Sequence, residues 1–281
     1  MTPPRPATPR WTPGAVALHA ALALLALLTL APLAWMVSAS LMPTGEAAAF
    51  PPRLLPSAPT LEHYRLLVTR LNVGRYALNS ALLATVVTVL STAVNAAAGY
   101  AFAKFRFRGR DPLFRALLAA LVVPAQVAML PLFLLLKQMG LINTYAGIVV
   151  PGLASVFGIF LVRQFAVSLP DDLLDAARVD GASEAWLFFR VVVPLLKPVL
   201  VTLALFTFMG VWNDFMWPLI VLTDDRLYTL PVALANLLGE HAQDPELMMA
   251  GAVLTVAPVL VLFLALQKVY VDGIMLGGVK G

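Results

Sequence analysis

Apolar stretches dominate the chain, and the spacing of charged residues divides them. Runs free of Asp, Glu, Lys and Arg lie between Arg10 and Glu46, Arg75 and Lys104, Arg115 and Lys137, Lys137 and Arg163, and Glu246 and Lys268. A sixth, between Lys197 and Asp224, is interrupted only by Asp214. Each accommodates the roughly 20 apolar residues an α-helix needs to cross a bilayer, where every peptide group must be hydrogen-bonded within its own segment. The pattern predicts an all-α polytopic membrane protein with six transmembrane helices, near residues 15–40, 76–103, 114–136, 145–166, 196–222 and 248–268. The first run follows Arg5 and Arg10 and ends near Ser38-Ala39-Ser40, as a cleaved leader would. Its apolar stretch is much longer than the about 7 to 15 residues of a signal core, so it is read as a retained span.

The polar segments between the runs differ from one another. Residues 1–14, rich in Pro, Thr and Arg, suit a short unstructured tail. The segment from Leu41 to Arg75 carries Pro43, Pro51, Pro52, Pro56 and Pro59, which predicts extended chain before a short helix near Leu61 to Val68. Another segment, Thr223 to Leu247, is acidic. Both are either contact surfaces for an extracytoplasmic partner or plain solvated connections. The segment 168–197 has helical patterning of its own. Ser168 and Asp171 form an S-x-x-D start, and Leu173, Ala176, Ala177 and Asp180 fall on one face at steps of three and four. Gly181 is the expected stop. A second helix is expected through Trp186 and Phe189 to Val193, before Pro194 and Pro198 bend the chain into the fifth span.

Composition agrees with the pattern: 60% of residues are hydrophobic and 12% charged. A soluble domain would carry about twice that charged fraction. Thirteen of the 19 Lys and Arg residues fall on the same side as the N-terminus, the densest group being KFRFRGR at 104–110. Lys280 also counts on that side, so positive charge places both termini in the cytoplasm. The net charge of +4 forms no continuous patch and does not indicate nucleic acid. There is no Cys, and His19, His63 and His241 are isolated, so neither a metal site nor a catalytic cluster is expected. No G-x-x-x-x-G-K-[ST] phosphate loop is present, so this chain is expected to bind no cofactor itself.

Two groups of residues are candidates for function. In the 168–197 loop, small side chains at Ala176, Ala177 and Gly181 admit close approach by a partner surface, with flanking charges to orient it. The alternative is an amphipathic helix resting on the inner leaflet through Trp186 and Phe189. In the second span, Thr85, Thr88, Thr92, Asn95 and Gly99 recur at helical steps. That face lines a hydrophilic path or packs helices through small and hydrogen-bonding groups. Asp214, beside Trp212 and Asn213, is the only acid within a span and contacts solute or bonds across helices. Pro124, Pro131, Pro151, Pro218 and Pro258 are candidate kinks.

The run LPDDLLDAARVDGASEAWLFFRVVVPLLKP, Leu169 to Pro198, closely resembles the EAA loop of binding-protein-dependent ABC importer permeases, especially the maltose-type carbohydrate group. Ala176, Ala177, Asp180, Gly181, Ala182, Ser183, Pro194, Lys197 and Pro198 match the family pattern, whereas Asp175 stands where the family usually has Glu. GYAFAKFRFRGRD at 99–111, VWNDFMWPL at 211–219, TLPVAL at 229–234 and GGVKG at 277–281 also look like that group. The resemblance implies a type I importer permease fold over 15–281 in a bacterial inner membrane. It implies that a coupling helix in the loop docks on a separate ATPase dimer carrying ATP and Mg. A homologous second permease and an extracytoplasmic solute-binding protein are the other implied partners. A sugar or oligosaccharide is the implied solute, with polyols and glycerol phosphates transported by close relatives. From the residues alone, an ion-coupled carrier resting on Asp214 is the main alternative, and an intramembrane enzyme lacks the acid pair or His ligands it would need.

Overall fold

The computed structural model describes residues 12–51, 53–69, 71–240 and 244–278. Arg5, Arg10, Arg70, His241 and Lys280, with the end of the 277–281 motif, lie outside the described residues, as does the side chain of Lys268. Among the described residues every regular element is helical. The longer elements before residue 168 are α1 (Pro13–Ala39), α2 (Glu62–Thr69), α3 (Val73–Lys104), α4 (Arg110–Ala120), α5 (Ala125–Gln138), α6 (Ala146–Gly152) and α7 (Val156–Val167). Next come α8 (Asp171–Val179), α9 (Glu184–Leu187), a π-helical turn at Phe188–Val192 and α10 (Val193–Leu195). After them lie α11 (Lys197–Trp212), α12 (Met216–Val221), a 3-10 turn at Asp225–Leu227, α13 (Leu230–Glu240) and α14 (Pro245–Gly278).

Four stretches, Pro13–Ala39, Val73–Lys104, Ala146–Val167 and Pro245–Ala265, are long and apolar enough to cross a membrane, and two bent pairs bring the number up to six if each is one span. The third expected span is therefore not one continuous helix: α4 and α5 meet at 106°. Pro124 caps α5 in an extended conformation and disfavours helical geometry at Val123, so the chain turns there. The fifth is also interrupted, since α11 ends at Trp212 and α12 starts only at Met216. The first helix begins at Pro13, inside the expected tail, because Thr12 caps it.

The chain divides into two compact units, Met1–Thr69 with His241–Leu254, and Arg70–Glu240 with Thr255–Gly281. In the first, the apolar window of α1 buries none of its residues. A small core forms instead from Ala39, Met42 and Leu67. Beside it, His63 Nε2 lies 2.9 Å from the Met42 carbonyl, and buried Glu246 accepts the Ala47 amide at 2.6 Å.

In the second unit α3 is the central helix, packed against α7 and α11. Two small-residue contacts set the approach of α7. A Cβ on Gly99 would fall 2.6 Å from Val162 Cβ, and one on Gly158 2.9 Å from the Asn95 amide. The carboxamide of Asn95 accepts the Ser155 amide at 2.9 Å, at the break between α6 and α7. An interrupted helix leaves backbone donors unpaired, and Asn95 satisfies one of them inside the bundle. Toward the start of α3, Asn79 donates to the Arg226 and Tyr228 carbonyls and accepts from Tyr145 Oη at 2.7 Å. Asn143 Oδ1 accepts the Thr223 and Asp224 amides, which ties the 223–228 connection to the bundle.

Candidate functional site

The 168–197 loop folds as the helix, turn and helix that its patterning predicts, with corrections in detail. Ser168 does not cap α8. Its hydroxyl donates to the Phe165 carbonyl at the end of α7, and Pro170 is the extended residue before α8. The hydroxyl satisfies an orphan carbonyl at the end of α7, and Pro170, two residues on, takes the cap position of α8 instead.

Gly181 has φ +83, and the helix closes around it with two bonds, from the Ala182 amide to the Ala177 carbonyl and from the Gly181 amide to the Arg178 carbonyl. This is the Schellman arrangement, which needs a left-handed residue after the cap. Ser183 then caps α9, its Oγ accepting the Trp186 amide at 3.2 Å. The expected regular helix to Val193 is broken instead by the π-helical turn, in which the Val193 amide reaches the Phe188 carbonyl. Pro194 has no amide to continue an α-helical register, and the chain bends by 80° into α11.

One face of the helix pair is inserted into the bundle. Leu174 and Leu187 are buried in a cluster with Tyr100 of α3, Val162 and Ala166 of α7, and Val199 and Leu203 of α11. Ala177, expected on the outer face, packs partly against this cluster. The other face is open: Leu173, Ala176, Val179, Asp180 and Trp186 are exposed, Val179 by 87%. A surface cavity of about 530 Å³ over the turn is lined by Ala177, Asp180, Gly181, Ala182, Ser183 and Trp186. The structure thus gathers five of the seven predicted docking residues around one concavity. Asp175 and Ala176 do not line it; Asp175 lines a separate surface cavity with Lys104, Asp171, Arg178 and Glu184.

Charge stiffens the pair. Arg178 binds Asp175 and Glu184, each at 2.7 Å, so one guanidinium joins α8 to α9. Those bonds, to Glu184 first and then Asp175, push the arginine's pKa further up. Asp175 is therefore occupied within the loop. Lys104, at the last residue of α3, donates to the Leu169 carbonyl and to Asp171 Oδ1, both at 2.6 Å. That bond and charge hold the Asp171 carboxyl below its usual range. Of the side chains lining the turn concavity Asp180 alone is ionisable, so the arrangement pairs no acid with a base there. Among the described residues no group of three or more metal-ligating side chains occurs. What it offers is a stiff projection, rooted in three bundle helices, with a concave free face.

The second candidate group is divided by the structure. Asn95, expected on a path or a packing face, packs: its Nδ2 donates to Ser91 Oγ and its Oδ1 accepts from Ser155. Gly99 packs as well. Thr85 is exposed, and the hydroxyls of Thr88 and Thr92 are buried without a partner among the described residues. Trp212 is buried, with Nε1 donating to the Thr255 carbonyl at 3.0 Å. Asn213 donates to the Met209 carbonyl one turn back, and Asp214 accepts the Trp217 amide at the start of α12. Asp214 thus bonds locally at a helix break, rather than across helices or to the threonine face. Leu174, Leu187, Arg178 and Lys104 were missed as functional positions by sequence reasoning. Only the pairing of Leu174 with Ala177 at a step of three hinted at an inward face.

The family model described as the binding-protein-dependent transport system inner membrane component matches residues 94–275, which include the whole loop. The arabinooligosaccharides transport system permease protein AraQ of Halalkalibacterium halodurans is 36% identical over 264 residues, covering 92% of this chain and 94% of that protein. The lactose transport system permease protein LacG of Rhizobium radiobacter is 33% identical, over 93% of this chain and 95% of that one. A solved bacterial ABC transporter involved in the import of the acidic polysaccharide alginate contains a chain that superposes with a TM-score of 0.80 at 25% identity, covering 93% of this chain and 99% of its own. Together these matches show that the chain belongs to the inner-membrane permease components of binding-protein-dependent ABC transporters.

Proposed function

We propose that this chain forms, with a homologous second permease, the translocation path for a sugar or oligosaccharide handed over by an extracytoplasmic solute-binding protein. It crosses the inner membrane six times over 15–281, α4 with α5 serving as the third span and α11 opening the fifth, with the 1–14 tail, the 168–197 loop and the C-terminus in the cytoplasm. ATP and Mg belong to a separate ATPase dimer, which docks on Asp175, Ala176, Ala177, Asp180, Gly181, Ala182 and Ser183. The observation that carries this reading is the two-sidedness of the loop: Leu174 and Leu187 are locked into α3, α7 and α11, while the concavity around Gly181 faces outward. A helix lying on a leaflet would turn its apolar face to lipid, whereas here Leu174 faces the protein. The sugar assignment is supported by the relatives named for arabinooligosaccharides and lactose. Within the path, Thr85, Thr88, Thr92, Trp212, Asn213 and Asp214 are the candidates for solute contact; of these Thr85 is exposed, whereas the hydroxyls of Thr88 and Thr92 are buried. Asn95 has a packing role.

The test is uptake of radiolabelled sugars by proteoliposomes holding both permeases and the ATPase, with binding protein outside. Uptake is expected to require ATP and no ion gradient. Gradient-driven uptake without ATP overturns the reading. Replacing Gly181 with Val should leave insertion intact and separate ATP hydrolysis from transport, since a β-branched side chain opposes both φ +83 and close docking.

A further inference from the structure

We propose that Lys104 is a positioning residue for energy coupling: it clamps the last turn of α3 to the first turn of α8, so that the central membrane helix and the docking helix move as one body. The proposal rests on the reading of the loop as the ATPase-docking element and adds to it the joint by which the loop grips α3.

Three observations carry it. Lys104 is the final residue of α3, yet its side chain is only 8% exposed. A buried ammonium at a helix end is favourable only where its donors are satisfied and negative charge is near. Both conditions are met across the joint. One donor goes to the Leu169 carbonyl, in the link after α7, and another to Asp171 Oδ1 in the first turn of α8, both at 2.6 Å. One side chain thus joins the ends of α3 and α7 to the start of α8.

One turn earlier on α3, Tyr100 supplies a second point of attachment. Its ring centroid lies 5.6 Å from that of Phe188, just after α9, and Tyr100 shares the buried cluster of Leu174 and Leu187. The apolar contact resists separation but, being non-directional, permits sliding and rotation. The charge-assisted bonds of Lys104 are directional and short, and they fix the rotation of α8 about α3. Asp171 is largely exposed, so an isolated Lys–Asp pair here would matter little for stability. The role assigned to Lys104 is therefore geometric: without it the loop stays folded and docked but transmits rotation to α3 poorly.

The experiment uses the reconstituted complex and measures solute imported per ATP hydrolysed, alongside complex assembly. Lys104→Met, which removes both bonds, should leave assembly and ATP hydrolysis near the parent level and lower solute per ATP by about tenfold, the scale of losing charge-assisted hydrogen bonds. Lys104→Arg, which keeps charge and reach, should recover most of the ratio. Asp171→Asn should give a smaller loss, since the Leu169 carbonyl bond remains. A merely structural role predicts instead that assembly, hydrolysis and uptake fall together, leaving the ratio unchanged; that result overturns the proposal, as does an unaltered Lys104→Met. Gly181→Val in the same preparation separates the two ideas. If it uncouples while Lys104→Met does not, docking at the loop stands and the clamp falls. If Gly181→Val transports normally, the docking reading itself fails.

Discussion

The 168–197 loop and the polar face of α3 both carry small and polar residues at helical spacing, yet the fold uses them in opposite ways. In the loop, backbone ends are closed by local bonds around Gly181 and Ser183, and the buried face is made by leucines. Ala176, Gly181 and Ser183 are thereby left exposed. On α3, by contrast, Asn95 and Gly99 are taken up by the neighbouring helix, one by hydrogen bonding to Ser155 and the other by close contact with Val162. The difference teaches that small-polar patterning reports close approach but not what approaches. Solvent-facing segments keep such a surface for another chain, and bundle interiors consume it in packing.

Substitutions at the two places should therefore fail differently. The largest effect is expected from Leu174→Ala, which empties a fully buried position of the cluster and costs about 2–5 kcal/mol. Limited proteolysis should show new cleavage within 168–197 while the rest of the bundle stays protected; equal loosening of α3 and α7 would mean that the loop is not a separable projection. Next in size, Asn95→Ala leaves the Ser155 amide without its partner and should lower the thermal stability of the purified complex by about 1–3 kcal/mol. An increased KM for uptake with unchanged thermal stability would instead put Asn95 on the solute path and erase the contrast. The smallest effect is expected from Asp175→Ala. Its carboxylate pairs with Arg178 at the exposed surface, and Glu184 still holds that arginine, so stability should hardly change. A loss of ATPase affinity in that variant, measured by co-purification, would show that Asp175 also reaches the partner.

Much of the architecture was legible because the bilayer imposes a simple rule. Backbone polarity must be satisfied inside helices, so the charge-free runs mark where helices lie. The short helix after the proline-rich segment, expected near 61–68 and observed as Glu62–Thr69, was readable for a similar local reason. The turn at Gly181 was equally local, since few residues other than glycine accept its left-handed conformation. The bend between α4 and α5 was less legible. Pro124 signalled a kink, but a proline pattern does not distinguish a gentle bend from the 106° turn that the structure contains.

The sequence by itself determined the helical class, the position of the apolar runs, the helix-turn-helix form of the loop and, through its residues 169–198, the family. Each of these depends on interactions among near neighbours or on the uniform demand of the membrane. Tertiary structure alone decided that Leu174 and Leu187 face inward, that Asn95 bridges the break between α6 and α7, and that Lys104 reaches across to Asp171. Those outcomes join residues 60 or more positions apart for Asn95 and 67 apart for Lys104. Helical periodicity shows that a residue lies on a face, but only packing chooses which neighbour that face meets.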